Sequence, residues 1–246
     1  MRRLLLVLLA VSVATCATRT PPASAPAPTA SPAGPPAPAL PDSIRWVQQS
    51  AEFQAALRQV YRLATAQVER AAAARAAGGW AVVLDADETV IGNAVYQSER
   101  ARIGAGFSAE SWTAWVKRRE ATPLPGAAEF LARVRALGGR IAIVTNRLQS
   151  ECDDTAAVFA AHALVYDAML CRPDGSPSDK NPRFEAVAAG RSAAGSGPLE
   201  VVAFVGDNIL DFPAQSQKLR AAPAAAFAEF GERYFVVPNP MYGSWQ

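Results

Sequence analysis

Trp80-Ala81-Val82-Val83-Leu84-Asp85-Ala86-Asp87-Glu88-Thr89 is an apolar, β-branched run that stops abruptly at two carboxylates spaced i, i+2. A strand buried on both faces of a parallel sheet reads as such a near-continuous hydrophobic run. Open α/β sheets hold their ligands just outside the carboxyl ends of these strands. Two aspartates placed there repel each other unless a cation lies between them or one of them keeps a proton. The pair points to a divalent metal, or to an acid working beside a nucleophile. Taken alone, Asp-x-Asp also serves turns and helix N-caps.

The flanking pattern supplies the rest of a sheet. Asp42-Ser43 reads as a helix N-cap and Gly78-Gly79 as the stop. Between them Val47, Phe53, Leu57, Val60, Tyr61, Ala64 and Val68 recur at helical spacing, predicting one long amphipathic helix. After the strand Ala81 to Leu84, a polar insert at about 92–122 carries Tyr96, Phe107, Trp112 and Trp115. A helix follows from Pro125-Gly126 to Leu137, then a strand from Ile141 to Val144 ending in Thr145-Asn146. Glu151 to Ala161 reads as helix, and Leu164 to Tyr166 as a strand behind it. A polar loop from Arg172 to Asn181 precedes a helix near Pro182. Val201 to Val205 is a strand ending in Gly206-Asp207-Asn208, and a last short strand falls near Phe235 to Val237. Strands alternating with helices imply an α/β fold, a Rossmann-like parallel sheet with helices on both faces and a small cap insert.

Three strands thus end in polar chemistry: Asp85-x-Asp87, Thr145-Asn146 and Gly206-Asp207-Asn208. Lys180 lies between the second and third clusters, and Asp211 shortly after the third. Each has an ordinary structural use, but each also falls at the end of its expected element, and parallel strands bring such ends to one edge. The ordered set resembles the haloacid dehalogenase-like superfamily. More closely it resembles the class C nonspecific acid phosphatases, which include lipoprotein 5′-nucleotidases. The residues that carry this closer likeness are Trp46 to Glu52, Asp85 to Val90, Asn93, Tyr96-Gln97, Val144 to Arg147, Gly206 to Phe212 and Pro238 to Trp245. The likeness spans roughly 43–245, with Gly92 standing where an acidic residue is usual.

The resemblance implies a Mg²⁺-dependent phosphomonoesterase acting on 5′-nucleotides or aryl phosphates through an aspartyl-phosphate. Asp85 would be nucleophile and ligand, and Asp87 the proton carrier, with its carbonyl a further ligand. Asp207 would complete the Mg²⁺ site, with Asp211 binding directly or through water. Thr145, Asn146 and Lys180 would hold the phosphoryl oxygens. Tyr96 is the first candidate for substrate contact, ahead of Trp112 and Trp115, whose spacing also suits a core of the insert. Rival readings are a surface lipoprotein that binds haem or a nucleotide without hydrolysis, and a phosphotransferase.

Half of the 246 residues are hydrophobic and 19% are charged, as in a globular protein with a sizeable core. Charges nearly balance, and no basic block suggests a nucleic acid polymer as partner. Met1-Arg2-Arg3 and the apolar Leu4 to Val13 read as an export signal too short to span a bilayer. Val13-Ala14-Thr15-Cys16 resembles a bacterial lipobox, with Thr15 where a smaller residue is usual. A lipoprotein-type signal over 1–16, a Pro/Ala-rich linker over 17–41 and a phosphatase domain over 42–246 would tether the enzyme to a membrane through lipid on Cys16. The expected location is the outer membrane, facing periplasm or cell surface; cleavage near Ala23-Ser24-Ala25 is the alternative. Cys152 and Cys171 either pair in an oxidising compartment or stay as buried thiols. His162, the only histidine, reads as structural. Oligomeric state is left open.

Overall fold

Among the described residues two helices, not one, precede the first strand. α1 (Asp42–Gln49) and α2 (Ala51–Ala73) part at Ser50, whose backbone is extended. The Ser50 hydroxyl accepts the Phe53 amide at 3.0 Å, as an N-cap serine does. The apolar stripe survives the break, because Trp46 and Phe53 meet edge to face at 5.3 Å. The computed structural model describes residues 39–192 and 197–246. The signal, Cys16 and the linker up to residue 38 lie outside the described residues.

Next come β1 (Trp80–Leu84), β2 (Ile91–Gly92), α3 (Ala94–Arg102), α4 (Ala109–Arg118) and β3 (Thr122–Pro123). α5 (Ala127–Ala136), β4 (Arg140–Leu148), α6 (Cys152–Ala161) and β5 (Ala168–Arg172) follow. The described chain then forms α7 (Asn181–Ala188), β6 (Glu200–Gly206) and β7 (Tyr234–Val236). Five strands make a parallel sheet in the order β5-β4-β1-β6-β7. β1 is central and wholly buried, as its continuous apolar run requires. Its side chains alternate between two cores. Val82 and Leu84 join Leu57, Tyr61, Phe130 and Phe159 from α2, α5 and α6. Ala81 and Val83 join Phe184 of α7 with Phe204 and Tyr234. Trp80 lies so tightly over Gly139 that a Cβ there would fall 2.4 Å from the indole.

β2 and β3 pair antiparallel, closing the insert at its base around α3 and α4. Two strand expectations change. β4 does not stop at Val144 but runs through Thr145-Asn146 to Leu148, with a register shift against β5 after Val144. Leu164 to Tyr166 is not a strand, and the edge strand is β5 instead. Ala163 adopts the left-handed φ of 52°. The Leu164 and Ala163 amides then close back on the Phe159 and Ala160 carbonyls at 2.9 and 3.1 Å. This is a Schellman ending, and the buried Leu164 side chain is the hydrophobic contact that accompanies it. Among the described residues no helix is long and apolar enough to cross a membrane.

Cys152 and Cys171 form a disulfide with Cα atoms 6.0 Å apart, joining the first residue of α6 to β5. The bridge closes a 19-residue separation, for which loop entropy in the unfolded chain predicts a contribution of about 3 kcal/mol. A Cys152→Ser/Cys171→Ser double variant is expected to lose about that much in urea unfolding. An unchanged midpoint and slope would show that the bridge adds no stability.

Candidate active site

Three carboxyl ends converge because β1 lies between β4 and β6. After β1 the chain folds back on itself, the Val90 and Ile91 amides both reaching the Ala86 carbonyl. Glu88 takes a left-handed φ of 52° in that turn. It carries Asp85 and Asp87 out over the sheet edge. β6 delivers Asp207, and a one-turn 3-10 segment (Ile209–Asp211) returns Asp211 beneath it. Gly206 is required at this return, since a Cβ on it would lie 2.3 Å from the Asp211 Cβ. Lys180 arrives from the residue just before α7 and is buried.

Asp85, Asp207 and Asp211 each offer a carboxylate oxygen, all within 4.8 Å of one another. The Lys180 ammonium donates to Asp85 Oδ1 and Asp211 Oδ1, each at 2.6 Å. Asp211 Oδ2 also accepts the Asn208 amide at 2.8 Å. Asn239 donates to Asp207 Oδ2 at 2.8 Å, bringing the C-terminal segment onto the cluster. Burial pushes the Asp85 carboxyl up to about 7, against the pull of Lys180 and helped by Asp211 and Asp87. Burial also raises Asp207 well above the carboxylate range, with Asp211 and Asp85 adding repulsion. Desolvation pulls Lys180 down, but Asp211 and Asp85 outweigh it and leave the ammonium firmly charged.

Asp87 has different company. It lies outside the three-acid cluster as a side chain and forms an ion pair with Arg147 at 2.7 Å. Asn93 donates to it at 2.8 Å. Glu88 is buried behind this group, accepting the Asn93 amide at 2.6 Å and the Tyr242 hydroxyl. Burial pushes Glu88 up to about 8, with Asp87 adding to the rise and Asn93 opposing it.

On the other side Thr145 is fully buried, its Oγ1 accepting the Arg147 amide at 3.1 Å. Asn146 is exposed and its side-chain carbonyl accepts from Arg183 at 2.6 Å. Arg183 also donates to the Thr145 carbonyl, so it holds the end of β4 in place. The aromatic candidates separate. Tyr96 and Trp115 are both 2% exposed, with Tyr96 bonded to Ser111 at 2.9 Å and Trp115 donating to Asn93 at 2.8 Å. They form the core of the insert, which moves Tyr96 from first candidate to packing residue. Trp112 stays half-buried over the Arg147 guanidinium at 5.4 Å. His162 is exposed at the end of α6.

Arg147, Glu88, Arg183 and Tyr242 had no role in the sequence reading. Glu88, Arg147 and Tyr242 stood inside stretches that carried the family likeness. A charged residue at the end of a buried strand was the available signal for Arg147, whereas nothing near Arg183 marked it.

A family model described as HAD superfamily, subfamily IIIB (Acid phosphatase), matches residues 28–245. Among solved structures, the class C acid phosphatase from Bacillus anthracis is similar at 29% identity, with a TM-score of 0.72. The match covers 82% of this chain and 84% of that one. A class C acid phosphatase structure from the same organism with tungstate bound is similar at 28% identity and a TM-score of 0.73, with the same coverage.

The raised acids set a pH dependence of stability. Glu88 and Asp85 keep their protons in the folded protein to higher pH than in the unfolded chain. From the ordinary carboxylate range up to about 8, the folded state therefore holds more protons and stability falls as pH rises. In chelator, the urea midpoint is expected to be lower at pH 8 than at pH 5, and Glu88→Gln should flatten the slope. A midpoint that rises over this window would contradict the assignment.

Proposed function

The chain belongs to the acid phosphatases of HAD superfamily subfamily IIIB and is a phosphomonoesterase, and from that premise we propose that it hydrolyses 5′-nucleotides and aryl phosphates with Mg²⁺ through an aspartyl-phosphate. The observation that carries this reading is the division of the two β1 aspartates. Asp85 belongs to a three-carboxylate cluster with a lysine, while Asp87 is held apart by an arginine.

The donor set fits a hard divalent cation. Lys180 bonds two of the three carboxylates, and Asp85 and Asp207 are held up by burial and mutual repulsion that added positive charge would relieve. Oxygen-only ligation suits Mg²⁺. Asp85, Asp207 and Asp211 would hold the ion, with the Asp87 carbonyl as a further ligand. When bound, it supplies charge neutralisation to the phosphoryl group.

In the proposed reaction Asp85 attacks phosphorus as the ester P–O bond breaks. Asp87 gives its proton to the departing oxygen, then takes one from the water that releases phosphate. Lys180, the Thr145 hydroxyl and the Asn146 amide steady the phosphoryl oxygens. Arg183 supports the last two by bonding the end of β4. The leaving group is received where aromatic surface stays open near Asp87, at Trp112 and Tyr242. The tungstate in one relative is an oxyanion, as phosphate is. We further propose export and tethering through lipid on Cys16.

Asp85→Asn is expected to abolish p-nitrophenyl phosphate hydrolysis with the circular dichroism spectrum unchanged, and retained turnover would sink the mechanism. EDTA should remove activity and Mg²⁺ restore it, measured as phosphate release over nucleoside monophosphates and aryl phosphates. Nucleotide binding without phosphate release would favour the binding lipoprotein, and phosphorylated products with added alcohols the phosphotransferase. The mass of the mature N-terminus decides the anchor, an unmodified start near residue 26 excluding it.

A further inference from the structure

Among the described residues Arg147 is the one buried cation near the reacting groups that the reaction above leaves without a task. Its side chain is 1% exposed, while that of its partner Asp87 is 17% exposed. Burying a guanidinium costs several kcal/mol unless its donors are filled, and here Nε and Nη2 are filled on one carboxylate. Nη2 donates to Asp87 Oδ1 at 2.7 Å, and Nε is shared between Oδ1 at 3.0 Å and Oδ2 at 3.1 Å. Asn93 adds a bond to Oδ1 at 2.8 Å. Oδ1 therefore accepts three bonds and Oδ2 one shared bond. A fork of this kind fixes both the torsion of a carboxylate and which oxygen remains free, which a lysine cannot do.

The fork is itself held from two other elements. Nη1 donates to Thr155 Oγ1 of α6 at 3.2 Å. Nη2 also reaches Asn93 Oδ1 at 3.2 Å, and the same oxygen accepts the Trp115 indole from α4 at 2.8 Å. Trp112 of α4 lies over the guanidinium. α4 is tied to the residue just before α6, Thr113 donating to Glu151 at 2.7 Å.

The geometry points to Arg147 as a positioning residue that orients Asp87, leaving Oδ2 to carry the proton to the leaving oxygen, with the cap helix α4 and α6 setting the angle. The inference rests on Asp87 being the proton carrier proposed above. It predicts a defect that depends on the leaving group. An acidic phenol departs with little help, whereas a benzylic alkoxide must be protonated as it leaves.

The test compares kcat/KM for p-nitrophenyl phosphate and p-nitrobenzyl phosphate, because kcat/KM reports the steps through P–O cleavage. Asp87→Asn should lower the benzyl ester by roughly 100-fold or more and the phenyl ester far less. Arg147→Lys, which keeps the charge and loses the fork, should show the same selectivity at about 100-fold. Thr155→Val removes one hold on the guanidinium and touches neither Asp87 nor substrate; it should shift the ratio the same way by about 3-fold or more. A general structural defect would lower both esters equally. If Asp87→Asn is itself unselective, the proton-carrier reading fails and this inference with it. If Asp87→Asn is selective while Arg147→Lys and Thr155→Val leave the ratio unchanged, the positioning role alone is overturned. Should Arg147→Lys not fold, Thr155→Val decides.

Discussion

The carboxylate oxygens of Asp85, Asp207 and Asp211, within 4.8 Å of one another, impose the constraint that organises the molecule. Such a concentration of negative charge is costly in a low-dielectric edge unless cations and donors surround it. Lys180 is therefore buried where a loop lysine would ordinarily be solvated, and it bonds two of the three acids. Asn239 supplies a neutral donor to the third, Asp207, and the Asn208 amide a further one to Asp211. Gly206 follows from the same demand, since any side chain there would push Asp211 out of the cluster.

The sheet makes this concentration tolerable by rigidity. β1 is flanked on both sides and packed on both faces, so the backbone that carries Asp85 has no freedom to relax away from the repulsion. The C-terminal segment after β7 closes the arrangement. Tyr242 donates to Glu88, and Ser244 donates to Asn208 at 2.7 Å, so the chain end braces both acid-bearing turns. A short segment that looks peripheral in the sequence is thereby tied to the chemistry.

A second electrostatic unit stands beside the first. Asp87, Arg147, Asn93 and Glu88 form a bonded group that faces the insert, not the three-acid cluster. Placing the two aspartates that follow β1 in separate units gives them different partners, a lysine for Asp85 and an arginine for Asp87, which is the division the proposed reaction uses. Two residues separated only by Ala86 thus sit in different environments.

The α/β class, the parallel sheet, the insert and the acids at the strand ends were legible in the sequence, because hydrophobic periodicity and strand-end polarity are local signals. The break at Ser50 was missed because the apolar stripe runs on across it, and the helix ending at Leu164 was misread because its apolar residues also suit a strand. What only the tertiary structure decided is partnership. Arg147 lies 60 residues from Asp87, Tyr242 lies 154 from Glu88, and Lys180 lies 95 from Asp85. Tyr96 and Trp112 look alike as insert aromatics, yet packing buries the first and leaves the second partly open over Arg147. The sequence by itself determined which strand ends carry acids. Which acid meets which cation depends on distances that exist only once the strands lie side by side.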